Sequence, residues 1–70
     1  MEAYTVKKLN DLIVKSSQED KIIAPDGINH FLFSIRAKWN ELSEFSQEWA
    51  NKNLAIVKDK TGNCTSVSLM

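Results

Sequence analysis

Two hydrophobic rhythms run along the chain. Val6, Leu9, Leu12 and Ile13 make one helical stripe, with Lys8, Asp11 and Lys15 on the opposite side, so a helix is predicted over about Val6 to Ser16. Thr5 stands where its N-cap belongs, and Asp11 lies four residues before Lys15, the favourable order for a surface pair. Ser16-Ser17-Gln18-Glu19-Asp20 breaks the period and reads as a connection. Lys21-Ile22-Ile23-Ala24 is a short β-branched run stopped by Pro25-Asp26-Gly27; Pro25 holds Ala24 out of the α region, so a strand is expected here, pairing with a later hairpin. Asp26 or Gly27 caps a second helix over about Ile28 to Lys38, with Ile28, Phe31, Leu32, Ile35 and Trp39 in one apolar arc. Phe33 falls outside that arc, beside His30 and Ala37.

A third helix is expected from a break near Asn40, which would cap it. Leu42, Phe45 and Trp49 recur at i, i+3 and i+7 as its packing face, leaving Glu41, Glu44, Gln47, Glu48 and Asn51 outside. The competing pattern is one continuous helix from Ile28 to Lys52, because 28, 32, 35, 39, 42 and 49 keep close to a heptad repeat; Ser46 spoils that repeat, with Phe45 one place early. After Leu54 the period shortens to two. Leu54-Ala55-Ile56-Val57 reads as a strand and Asp59 to Asn63 as a turn, after which Thr65, Val67 and Leu69 alternate with Ser66 and Ser68. A helix running into a hairpin resembles the end of a winged helix-turn-helix domain. The expected fold is therefore α+β, a small winged helix-turn-helix-like domain of order α-β-α-α-β-β with three helices and a short antiparallel sheet.

Seventy residues make one domain, residues 1–70, close to the size below which a hydrophobic core alone fails to hold a chain folded. Cys64 has no second cysteine to pair with, and together with His30 it cannot supply a four-ligand zinc site, so neither a disulfide nor a metal is expected to staple the fold. No apolar run approaches the ~20 residues of a bilayer span, and the N-terminus lacks the regions of a signal peptide, so the expected location is the cytoplasm. That makes Asn63-Cys64-Thr65 a chance match to a glycosylation acceptor.

Nine basic residues balance nine acidic ones, which removes the global positive field of most small nucleic-acid binders and leaves only local patches. The only glycines, Gly27 and Gly62, build no phosphate loop. His30 has no nucleophile or carboxylate spaced to work with it, and Glu41, Glu44 and Glu48 read as a solvated acidic face rather than an acid/base pair or cation site. No enzyme and no cofactor are expected. Lys7, Lys8 and Lys15 read as an ordinary exposed face. Phe45, Trp49 and Trp39 are not expected to stack on single-stranded nucleic acid, because they fall on the face that has to pack.

Two functions remain. In the first, the protein is a DNA-binding regulator of transcription or of a mobile element, a homodimer by expectation. Ser43, Gln47 and Asn51 on the third helix read bases, while Lys52, Lys58 and Lys60 touch phosphates from the helix end and the hairpin tip. Glu41 and Glu48 would meet phosphates with the wrong sign. In the second, the protein is a protein-interaction module in which Phe33, Ala37 and the acidic third helix, Glu44 in particular, engage a partner. For Phe33, coverage by the N-terminal arm around Tyr4 is the alternative to a contact patch or self-association.

Overall fold

A computed structural model describes residues 3–70. Three helices lead into a two-stranded antiparallel hairpin: α1 (Val6–Glu19), α2 (Ile28–Lys38), a 3-10 turn (Trp39–Glu41), α3 (Glu44–Asn53), β1 (Leu54–Lys58) and β2 (Cys64–Leu69). The class is small α+β, as expected. The order is α-α-α-β-β, without the strand at Lys21–Ala24.

Thr5 caps α1 as predicted, its hydroxyl accepting the Lys8 N–H at 3.1 Å. The stripe holds too, with Leu9, Leu12 and Ile13 buried and Val6 half-buried. The helix runs past Ser16 to Glu19, however, because Ser16 is itself a core residue one turn on from Leu12 and Ile13. Asp20 ends it in the left-handed region at φ 54°. Asp11 forms no ion pair with Lys15; the one ion pair among the described residues is the exposed Lys21–Glu19 contact at 3.8 Å.

Ser16 also explains the missing strand. Its Oγ donates to the Leu12 carbonyl at 2.7 Å and accepts the Ile23 N–H at 2.9 Å, so the backbone of this segment is bonded to a helix side chain rather than to a sheet. At its far end Gly27 N–H closes a turn onto the Ala24 carbonyl at 2.9 Å, with Pro25 in the second position. The segment therefore packs its isoleucines on the core as irregular chain.

Gly27 takes the cap position of α2 at φ 99°, a conformation that L side chains rarely adopt. Phe31, Ile35 and Trp39 are buried, each side chain contributing about 1.5–3 kcal/mol. The break between α2 and α3 is real, but Ser43, not Asn40, caps α3 by accepting the Ser46 N–H at 3.1 Å. Leu42 lies in extended backbone (φ −70°, ψ 149°), so a helical count begun at Leu42 loses phase before α3 starts. The buried face of α3 is consequently Ser46 and Ala50, continued by Leu54 as β1 begins, and Phe45 points outward.

The hairpin register pairs Leu54 with Leu69, Ala55 with Ser68, Ile56 with Val67 and Val57 with Ser66. Beyond Val57 the ladder skips to Lys58–Cys64, leaving Thr65 as a bulge. The sheet lies on α2 and β1 continues directly from α3. No helix among the described residues is long and apolar enough to cross a membrane.

Candidate interaction surfaces

The buried Ser46 and the capping Ser43 set the geometry of the surface. Ser46 Oγ donates to Asn10 Oδ1 at 2.6 Å, Ser43 Oγ donates to Ser46 Oγ at 3.0 Å, and Ser43 N–H also reaches Asn10 Oδ1 at 3.2 Å. One amide on α1 thus locks the start of α3. Gln47 extends the lock, its Nε2 donating to the Trp39 carbonyl at 2.7 Å. With these contacts fixing the rotation of α3, Phe45 is left 49% exposed and Trp49 half-buried, its ring edge-to-face with Phe31 at 6.4 Å.

Between the end of α1 and α3 lies an open cleft of about 320 Å³ lined by Ser16, Ser17, Asp20, Lys21, Ile22, Trp49 and Asn53. A second hollow of about 180 Å³ continues it past Phe45, Glu48 and Lys52, sharing Ser17, Trp49 and Asn53. The result is one groove with an aromatic wall and a rim of balanced charge: Asp20 and Glu48 against Lys21 and Lys52. Beyond it the exposed side of α3 is acidic, with Glu44 and Glu48 one turn apart flanking Phe45, and Glu41 close by in the 3-10 turn.

The residues expected to read bases are divided by the structure. Ser43 is spent as a cap and Gln47 on a backbone carbonyl, while Asn51 stays exposed. Lys52, Lys58 and Lys60 are exposed, but Lys58 lies over the Trp39 ring, Nζ 5.1 Å from its centroid. The hairpin tip is well tied. Asp59 Oδ1 accepts from Thr61 N–H, Thr61 Oγ1–H and Asn63 N–H at 2.7–3.0 Å, and Asn40 Nδ2 donates to Asn63 Oδ1 at 3.3 Å. The Thr61 hydroxyl first, with the Asn63 amide, holds the Asp59 carboxyl below its ordinary range.

On α2, Phe33 is 46% exposed with the Arg36 guanidinium 5.2 Å above its ring, and Ala37 is exposed in the next turn. Tyr4 does not cover Phe33. It is buried against His30, centroids 4.6 Å apart, with its backbone N–H on Ser34 Oγ and its hydroxyl accepting the Asp26 N–H. Burial pushes the Tyr4 phenol up. Of the three expected partner-binding residues, Phe33 and Ala37 are exposed on α2, and Glu44 is exposed at the start of α3, which packs on α1 and β1. No group of three His, Cys, Asp or Glu among the described residues is placed to hold a metal ion.

The Phe45–Trp49 groove was not anticipated. Its signal is Ser43 three residues before Ser46: starting the helix at a serine cap places Ser46, Ala50 and Leu54 inward and turns Phe45 out. No protein-family model, curated protein or solved structure matches the chain.

Proposed function

We propose that the protein is a small winged-helix-like interaction module that takes a basic protein segment carrying a large apolar anchor. The helix α2, the short turn, α3 and the hairpin follow the order of a winged helix-turn-helix domain lacking its first strand, which supports the fold half of this reading. One observation carries the functional half: Phe45 stands 49% exposed between Glu44 and Glu48 on the rim of a groove walled by Trp49. An exposed aromatic beside a partly filled hollow is the usual form of an interface anchor site. The carboxylates around it favour a cationic partner and repel phosphates.

Duplex DNA is the second reading, favoured by Asn51, Lys52, Lys58 and Lys60, all exposed, with the Asp59 carboxylate folded into its own turn. Display selection of peptides on the intact chain, run beside retardation of random duplex DNA at low and moderate salt, separates the two. The interaction reading expects selected peptides rich in Lys or Arg around a Trp, Phe or Leu, with binding weakened at least about tenfold by Phe45→Ala or Glu44→Lys and unchanged by Lys58→Glu/Lys60→Glu. Phe33→Ala in the same assay tests whether the α2 patch shares the partner. Salt-sensitive retardation of DNA that is lost in Lys58→Glu/Lys60→Glu would replace the first reading with the second.

A further inference from the structure

The hairpin leaves both of its outer edges unpaired among the described residues, and β1 carries Lys58 where β2 carries no charge. β2 is bonded to β1 on one side only, and no backbone hydrogen bond reaches it from any other described segment; the Lys21–Ala24 segment, expected to be a third strand, has its Ile23 N–H on Ser16 instead. An exposed edge presents a row of free N–H and C=O groups that templates another strand, and proteins usually blunt such edges with Lys, Pro or inward charges. Asn63-Cys64-Thr65-Ser66-Val67-Ser68-Leu69-Met70 contains no charged residue, no proline and no glycine, in a chain where a quarter of the residues (26%) are charged.

We propose that the β2 edge pairs antiparallel with the β2 edge of a second copy, making a four-stranded sheet across a two-fold axis at Val67. In that register Val67 faces its own counterpart, Ser66 faces Ser68 and Thr65 faces Leu69. The Val67 pair then sets inner face on inner face and the Ser66–Ser68 pairs outer on outer, as antiparallel strands require, and the bulge at Thr65 ends the matched ladder. The charge pattern favours a copy of the same chain over an acidic or basic peptide: the edge offers no counter-charge to either, and the net charge of the chain is zero, so two copies do not repel.

Apolar surface favours it as well. α2, which carries the exposed Phe33 beneath Arg36, packs on β2. At the end of β2 Leu69, on the inner face opposite Leu54, is 52% exposed, and Met70 follows it at 76%. Antiparallel pairing carries Leu69 and Met70 of each copy to the Cys64 end of the other, and does so twice by symmetry. A standard interface takes ~800 Å² from each partner, about a sixth of the 4551 Å² surface here, and the exposed Leu69 and Met70 contribute apolar area toward it.

Sedimentation velocity and native mass spectrometry of the full chain from about 1 µM to about 1 mM test this. Wild type is expected to pass from monomer to a closed dimer. Ser66→Lys/Ser68→Lys sets like charges opposite each other at both symmetry-related pairs and is expected to weaken the dimer about tenfold or more, whereas Ser66→Lys/Ser68→Glu sets opposite charges there and restores it. Both serines are exposed, so far-UV circular dichroism of each variant is expected to match wild type. A monomer throughout the range, a dimer indifferent to Ser66→Lys/Ser68→Lys, or an open series of larger species overturns the proposal.

Discussion

Three serines, Ser16, Ser34 and Ser46, are buried to within 1% of full coverage, and each fastens a different piece of chain to a helix. Ser34 holds the backbone at Tyr4, Ser16 holds it at Ile23, and Ser46 holds Asn10. A hydrophobic pattern assigns serine to the outside, and so the sequence made Ser16 the start of a loop and Ser46 a flaw in a repeat. What decides their placement is hydrogen-bond partnering across 7 to 36 residues, which periodicity does not encode. The Asn10 cluster gives a direct measure of that partnering. Ser46→Ala removes its bond to Asn10 and the one from the exposed Ser43 hydroxyl, which water replaces, and leaves Asn10 Oδ1 accepting from the Ser43 N–H, for a loss of about 1 kcal/mol; Asn10→Ala strands both the Ser43 N–H and the Ser46 hydroxyl and is expected to cost more, about 2–3 kcal/mol. Urea denaturation of both single variants and the double is expected to show the double costing less than the sum, because both substitutions remove the same Ser46–Asn10 bond.

At the scale of elements, legibility followed how local the determinants are. α2 is readable at both ends, Ile28 and Lys38, because Pro25-Asp26-Gly27 marks its start and the apolar arc closes at Trp39, and the hairpin because its turn cluster and alternation lie within sixteen residues, 54–69. The stripe on α3 was misjudged because Leu42, outside the helix, was counted with Phe45 and Trp49. That error hid the groove, since Phe45 was assigned to the core. The hairpin turn is the element whose integrity depends on a titrating group. Asp59 has a carboxyl pKa lowered by Thr61 and Asn63, so the stability it lends is fully present above its unfolded-state value and is lost as pH falls through the still lower folded-state value. Titrated downward, the amide signals of Thr61 and Asn63 are expected to shift together with the Asp59 carboxyl below the ordinary carboxylate range, and Asp59→Ala is expected to abolish that step while leaving the helices intact. A turn unaffected by either change would mean that the Asn40–Asn63 contact alone secures the tip.

For the whole molecule, the radius of gyration of 11.0 Å equals the ~11 Å of a fully compact chain of this length, so no element stands apart from the rest. Its two tryptophans touch different parts of the single core. Trp39 is sealed at the end of α2 beneath Lys58 of the hairpin, and Trp49 touches Phe31 from the groove side. Leu54, the first residue of the hairpin, is fully buried alongside the core residues of the helices, so the sheet completes the core rather than decorating it. The consequence is cooperativity: single-tryptophan variants made by Trp39→Phe and Trp49→Phe should each show a fluorescence transition in urea that coincides with the loss of far-UV circular dichroism, with an m-value of about 1 kcal/mol/M. If Trp39 instead reported an earlier midpoint than Trp49, the hairpin would be melting away from a self-sufficient helical trio. The β2 edge would then belong to a detachable ribbon, able to exchange between copies, rather than to a rigid surface on which a second molecule adds its strand.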